Sequence, residues 1–139
     1  MASIFTKIIA RQIPAHIVAE DENNIAFLDI NPLTVGHTLV VPKKEEDYLF
    51  DLDDDQYTAL HLFAKSVAKA INKVTGKRIG VEVIGLEVPH AHIHLIPFTT
   101  MSELSFENEK LKLNDDVLAE LATNIKNAIS ESNPRIGSV

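Results

Sequence analysis

The sequence predicts an α+β domain in which a five-stranded, mainly antiparallel sheet packs against a long helix and a C-terminal helix. Short apolar segments bounded by turn residues indicate the strands, and a regular apolar stripe indicates the long helix. The chain has 139 residues, of which 45% are hydrophobic, and this is enough for one core. We therefore expect a single domain over residues 1–139.

The N-terminal part predicts a short helix followed by three strands. Apolar residues at helical spacing begin the chain at residues 4–9, and Pro14 ends that element. The segments at 16–21 and 24–30 indicate two short strands joined by a tight turn. After turn residues, the apolar segment at 36–43 indicates a third strand.

The clearest helix is predicted from Asp53 to Thr75, with Gly76 suited to cap its end. Two more strands are expected at 78–85 and 90–98, and the C-terminal helix begins near Asn114. Each helix has one apolar face, formed in the first by Leu60, Ala64, Val67, Ile71 and Val74 and in the second by Leu118, Leu121, Ile125 and Ala128.

Composition argues against several classes of function. The net charge is -7 and the basic residues are not clustered, which disfavours nucleic-acid binding. The absence of cysteine excludes disulfides and thiolate catalysis. No segment approaches the roughly 20 apolar residues of a membrane span, and Lys7 and Arg11 interrupt any signal-peptide core. We expect a cytoplasmic protein that does not bind membranes.

Three of the six histidines fall within five residues, at His90, His92 and His94. On a strand these side chains point to one face, about 7 Å apart between neighbours. The residues between and after them are then expected to point into the core: Ala91, Ile93 and Leu95.

Three interpretations of this pattern compete. Strict alternation argues against ordinary polar residues on a wet face. A metal site with Glu87 or His37 as a further ligand is disfavoured, because the outer two histidines of a straight strand lie roughly 13 Å apart. Nucleophilic catalysis by histidine is favoured, with His92 in the centre and its neighbours able to donate hydrogen bonds to phosphate oxygens.

The segment HAHIHLI resembles the signature of the histidine triad (HIT) family, in which histidines alternate with apolar residues. Upstream, IFTKIIARQIP, FLDINP and GHTLVVPK are similar to the N-terminal half of that family and to its HINT branch in particular. The resemblance covers residues 3–98 and implies a HIT-like fold. It leaves 99–139 as a C-terminal helical extension, which either covers the active site or only extends the core.

The resemblance also implies roles for individual residues. His92 is expected to form a covalent nucleotidyl-histidine, His94 to contact phosphate oxygens, and His90 to pair with His37. Asp29 is expected to bind the ribose hydroxyls of a purine nucleotide. The expected apolar contacts of the base are Ile4, Phe5, Ile8, Ile13, Phe27, Ile30 and Leu39. The family is usually a homodimer with a continuous sheet and the long helix at the interface.

The sequence departs from the family before the triad. Where the family commonly has glutamine and a hydroxyl residue that contact phosphate or the leaving group, this chain has Leu86 and Glu87. Glu87 is open to three roles: contact with an amine-bearing leaving group, proton transfer, or a position turned away from the site. Some bacterial relatives bind zinc partly through Cys-x-x-Cys, but Ser3 and Thr6 occupy those places, so we predict no metal.

The predicted function is hydrolysis of a nucleoside 5′-phosphoramidate, or of a related nucleotide linked through its α-phosphate, by way of a covalent nucleotidyl-histidine. No cofactor is expected. Two alternatives remain open at this point: a dinucleoside polyphosphate hydrolase, and a nucleotide-binding module with little catalysis.

Overall fold

A computed structural model describes residues 2–132 of the chain, with side chains as far as residue 130. It contains one five-stranded sheet in the order β1-β2-β3-β5-β4, and every pair of neighbouring strands is antiparallel. The predicted α+β architecture is confirmed. In chain order, the helices and strands are α1 (Ile4–Ile9), β1 (Ile17–Glu20), β2 (Asn24–Leu28), β3 (Thr38–Pro42), α2 (Asp54–Thr75), β4 (Arg78–Glu82), β5 (Ile93–Phe98) and α3 (Asp115–Ser132).

The two faces of the sheet are covered by different helices. Alternation along β2 sends Ala26 and Leu28 to the face covered by α2 and α3, and Ile25 and Phe27 to the face covered by α1. Both faces of β2 and β3 are therefore buried, which explains their unbroken apolar sequences. His94 lies opposite Leu39 in the register of β5 and β3, and both line the cavity on the α1 side.

Helix α2 has the ends that the sequence predicts. The Asp53 carboxylate accepts a hydrogen bond from the backbone N–H of Gln56, 2.8 Å away, and so caps the first turn. Gly76 ends the helix in the left-handed conformation, with φ at 70°. The predicted stripe is largely buried, since Leu60, Val67 and Ile71 are each 0% exposed.

The triad strand is shorter than predicted. β5 begins at Ile93, so His90 and His92 precede it and only His94 lies within it. Pairing with β3 ends at Ile93 and Val40, close to Pro42, which has no N–H to continue the ladder. The predicted burial of the residues between the histidines is confirmed, because Ala91, Ile93 and Leu95 all belong to the core beneath α2 and α3.

The C-terminal extension divides into two parts with different positions. Residues 105–111 run past the end of β2, where the N–H of Leu111 donates to the carbonyl of Pro32 over 2.8 Å. Helix α3 buries Ile125 and Ile129 in the core shared with α2. No helix among residues 2–132 is long and apolar enough to cross a membrane. The remainder of the predicted extension, residues 133–139, lies outside the described residues.

Candidate active site

A cavity of about 490 Å³ opens on the α1 side of the sheet. It is bounded by α1, the ends of β2 and β5, and the loop that joins β4 to β5. Every nucleotide-contact residue predicted from the sequence lines it, together with two of the four predicted catalytic histidines: Ile4, Phe5, Ile8, Ile13, Phe27, Asp29, Ile30, Leu39, Glu87, His92 and His94. The other two, His37 and His90, do not line the cavity. The His37 ring is hydrogen-bonded to His94, and the His90 carbonyl oxygen is hydrogen-bonded to His92.

The hydrogen bonds of His92 determine which of its ring nitrogens carries the proton. Its Nδ1 lies 2.7 Å from the carbonyl oxygen of His90. A carbonyl only accepts, so Nδ1–H is the donor and the neutral ring keeps a lone pair on Nε2. Burial lowers the pKa of His92 from its ordinary value, which favours that neutral ring. The cavity is therefore presented with an unprotonated imidazole nitrogen, which is the nucleophilic form.

A second chain of hydrogen bonds fixes the opposite tautomer in His94. The backbone N–H of Leu33 donates to Nδ1 of His37 over 3.0 Å, so a neutral His37 carries its proton on Nε2. That Nε2–H donates to Nδ1 of His94, also over 3.0 Å. His94 must then carry its own proton on Nε2. A lone pair on His92 and an N–H donor on His94 thus lie side by side, with ring centroids 4.8 Å apart.

Burial keeps the rings of His37 and His94 neutral. Desolvation lowers the pKa of His37 to about 4, and the electrostatic effects of the nearby Lys110 and His92 act in the same direction. Desolvation and the neighbouring His92 and His37 lower the pKa of His94 to about 3. Neutral rings are what the chain of hydrogen bonds requires, because a doubly protonated His94 has no acceptor nitrogen to offer His37.

The predicted pairing of His90 with His37 is wrong. His90 donates from Nε2 to the carbonyl oxygen of Pro42 over 2.8 Å, and its Nδ1 accepts from the Ser3 hydroxyl over 2.7 Å. Glu45 supports this contact by accepting hydrogen bonds from the Ser3 N–H and the Thr6 hydroxyl, each 2.6 Å long. His37 pairs with His94 because His94 lies within β5, opposite β3, and β3 begins directly after His37. His90 precedes β5 and is therefore not brought next to His37.

The inner part of the cavity is an apolar slot. The rings of Phe5 and Phe27 meet edge to face with centroids 5.5 Å apart, and Phe5 also meets His92 at 4.9 Å. Asp29 lies beside this slot, where its carboxylate accepts a hydrogen bond from the Asn31 N–H over 2.9 Å. Burial raises the pKa of Asp29. A planar apolar group and a hydroxyl-bearing group can therefore bind next to each other.

Phe106 is a site residue that the sequence did not reveal. It lines the cavity, and its ring centroid lies 4.8 Å from that of His94 and 6.1 Å from that of His37. Lys110 lies over the same ring and donates to the Phe106 carbonyl over 2.6 Å. Residues 105–111 of the C-terminal extension therefore cover His37 and His94, while α3 extends the core. No motif in the extension pointed to this, because the contact is purely tertiary.

Within residues 2–132, one group of side chains converges closely enough to hold a metal ion: Asp29, His37 and His94. One donor atom from each lies within 4.8 Å of the others. This set differs from the metal hypothesis raised by the sequence, which combined triad histidines with Glu87 or His37. The hydrogen bond between His37 and His94 already uses the two nitrogens that face each other, so their geometry needs no ion to explain it.

The comparisons with known proteins agree with this geometry. A model of the HIT domain matches residues 10–101. This chain belongs to the HIT domain family. An uncharacterized HIT-like protein of Borreliella burgdorferi is 38% identical over 125 residues, covering 78% of this chain and 90% of the relative. The adenosine 5′-monophosphoramidase HNT1 of Saccharomyces cerevisiae is 39% identical over 98 residues, covering 69% of this chain and 62% of the yeast protein.

Solved HIT structures share the whole fold. A HIT-like protein of Bartonella henselae superposes with a TM-score of 0.78 and 33% identity, covering 91% of this chain and 95% of the other. A Zn-bound histidine triad family protein of Mycobacterium smegmatis superposes with a TM-score of 0.81 and 26% identity, covering 96% and 97%. These matches extend beyond the HIT domain model into the C-terminal extension of this HIT protein.

Proposed function

We propose that this HIT protein is a nucleotidyl hydrolase that cleaves nucleoside 5′-phosphoramidates through a covalent adduct on His92. The observation that carries the proposal is the pairing of opposite tautomers in one cavity. The Nδ1–H of His92 is bonded to the His90 carbonyl, while the Nδ1 of His94 accepts from His37. The two free Nε2 atoms then supply a nucleophile and a donor for a phosphoryl oxygen.

The reaction is a double displacement. Nε2 of His92 forms a bond to the α-phosphorus as the bond from phosphorus to the leaving nitrogen breaks, and the Nε2–H of His94 stabilises the charge on the phosphoryl oxygens. Water then attacks phosphorus and the bond to His92 breaks. The departing nitrogen takes up one proton from solvent in the first step, and the attacking water gives one up in the second. Over both steps one water is consumed, its oxygen ends on the nucleoside monophosphate, and the amine gains one hydrogen.

The rest of the cavity suits a purine nucleotide. Phe5, Phe27 and Leu39 form an apolar slot that fits a planar base. The Asp29 carboxylate, whose second oxygen is not used by Asn31, can accept hydrogen bonds from the ribose hydroxyls. The existence of adenosine 5′-monophosphoramidases among the relatives supports this choice of substrate class. The scheme uses neither a metal ion nor a redox cofactor.

We also propose a homodimer. β4 is an edge strand of the sheet, and Val81 on it is 61% exposed. On the neighbouring α2, Leu62 is 60% exposed. The opposite edge strand, β1, packs against α3. The apolar residues at the open edge fit a partner that pairs strand to strand.

The test is intact mass spectrometry of the protein quenched in mid-turnover with an adenosine 5′-phosphoramidate. We expect a mass gain of one adenylyl group in the wild type and none in His92→Ala, together with loss of amine release in the variant. His61→Ala, which alters a histidine on α2 outside the cavity, is the matched control and should retain both. Full turnover by His92→Ala would refute the covalent mechanism, and tight binding without turnover would identify a nucleotide-binding module instead.

A further inference from the structure

Glu87 is a charged residue of the cavity lining. It lies on the loop between β4 and β5 and lines the cavity with Asp29 and His92. Its side chain is exposed and makes no hydrogen bond or ion pair with any residue in the described range 2–132. The charge of Glu87 acts on both Asp29 and His92, which favours the two roles at the site over a position turned away from it.

The formally charged residues that line the cavity are all negative. Among the described residues that line it, Asp29 and Glu87 carry formal charges at neutral pH and both are negative; the lining contains neither lysine nor arginine. Lys110 is nearby but lies over the Phe106 ring and donates to two backbone carbonyls. A second anionic group in the substrate would therefore meet two carboxylates and no cation in the lining.

The geometry of displacement places the leaving group near Glu87. His92 is only 6% exposed and forms part of the cavity floor. Because attack on phosphorus is in line, the leaving group departs on the side opposite Nε2, towards the mouth. Ile30 and Leu86 line the cavity and are 62% and 89% exposed, so we assign them to its mouth. Glu87, next to Leu86, is the charged residue of the loop at this mouth.

We propose that Glu87 determines leaving-group specificity, so that this enzyme prefers nucleoside phosphoramidates whose departing amine carries a further positive charge. This inference rests on the proposed function. A cationic group beyond the scissile nitrogen would pair with the unpartnered carboxylate as the leaving group exits. An anionic leaving group, such as the second nucleotide of a dinucleoside polyphosphate, would be repelled by it.

Three adenosine 5′-phosphoramidates of equal chain length test the proposal. Their amines carry the same short chain, ending in trimethylammonium, in an isosteric tert-butyl group or in a carboxylate. We expect the wild-type kcat/KM to fall in that order, with roughly fivefold between successive substrates for one partly solvated charge interaction. In Glu87→Gln the differences should shrink to less than about twofold. Glu120→Gln, an exposed change of equal charge on α3, should keep the wild-type order.

Other patterns of turnover would overturn the proposal. If Glu87→Gln lowered kcat/KM for all three substrates by the same factor, Glu87 would be a proton carrier rather than a specificity residue. If the differences between the three substrates were as large in Glu87→Gln as in the wild type, the charge of Glu87 would play no part in selection.

Binding to the inactive variant separates this inference from the proposed function. The affinities of the three intact compounds for His92→Ala, measured by calorimetry, should follow the same order, and Glu87→Gln in that background should abolish it. If no compound is turned over by the wild type, the proposed function fails while the binding order still tests Glu87. Equal affinities of His92→Ala for all three compounds would refute the role of Glu87 whether or not turnover occurs.

Discussion

His37 controls the proton on His94 from the far side of the ring. Its Nε2 lies 3.0 Å from Nδ1 of His94, and its own Nδ1 accepts the backbone N–H of Leu33. Since the Leu33 N–H can only donate, it determines the direction of each hydrogen bond from Leu33 through His37 to His94. The series of hydrogen bonds ends with an N–H of His94 at the cavity. A residue that does not line the cavity thus decides whether the cavity contains a donor for phosphate oxygen.

The first prediction follows from this relationship. In His37→Ala, His94 is free to adopt either tautomer, so we expect kcat to fall roughly 10- to 100-fold. This is less than the roughly 100- to 1,000-fold cost of removing a preorganised donor outright, because one of the two tautomers still donates. KM should change little, because His37 does not line the cavity. His37→Gln, whose side-chain amide can donate to His94, should recover part of kcat. A rise in KM at unchanged kcat would contradict this positioning role.

The second prediction concerns stability in mild acid. The folded-state pKa values of His37 and His94, about 4 and about 3, lie below the ordinary value of 6.5. Between pH 6.5 and 4 the unfolded chain binds these protons and the folded protein does not, so stability is lost as pH falls through that window. From pH 7.5 to 5 we expect a loss of about 2 kcal/mol for each of the two histidines.

Urea unfolding at the two pH values measures this loss. His37→Asn should be less stable than the wild type at pH 7.5 but should show a smaller loss on going to pH 5. His61→Asn, at a partly exposed position of α2, serves as the control and should retain the wild-type loss. If His37→Asn kept the full pH dependence, the buried neutral pair would not be its origin.

The third prediction concerns the pH dependence of turnover. Burial and the nearby His90 lower the pKa of His92, whereas the hydrogen bond to the His90 carbonyl and the charge of Glu87 raise the pKa. Burial dominates, so the acid limb of kcat/KM should have its midpoint below pH 6.5, where an ordinary histidine titrates. Removing the Glu87 carboxylate should move that midpoint to lower pH, because the imidazolium loses a stabilising negative charge.

Glu87→Gln measured across the pH range with the tert-butyl substrate tests this direction, and Glu120→Gln is the control for net charge. A midpoint that moved upward in Glu87→Gln would show that Glu87 acts on the nucleophile by another route. A wild-type midpoint well above 6.5 would contradict the buried, neutral state of His92.

The fourth prediction concerns assembly. Sedimentation equilibrium should give about twice the chain mass of 15.4 kDa for the wild type. Val81→Lys places a charge on the open edge strand and should shift the equilibrium towards monomer. Val117→Lys, at an exposed position of α3, should leave the mass unchanged. A monomeric wild type at micromolar concentration would refute the dimer.

The sequence by itself determined the elements of the fold and most residues of the cavity. The helical stripe and capping residues of α2 depend on neighbours three or four positions apart, so they can be read along the chain. Asp29 was predicted as a cavity residue from the resemblance of FLDINP to the HIT family. The histidine alternation predicted correctly that the intervening residues, such as Ile93, point to the core.

Only the tertiary structure decided how the histidines are connected. The hydrogen bond from His37 to His94 spans 57 positions and that from Ser3 to His90 spans 87. Strand periodicity gives the face on which a side chain lies, but which ring meets which depends on register and on where pairing stops, here near Pro42. The contact of Phe106 with His94 is likewise set by packing across the molecule, since no local pattern encodes a contact between distant segments.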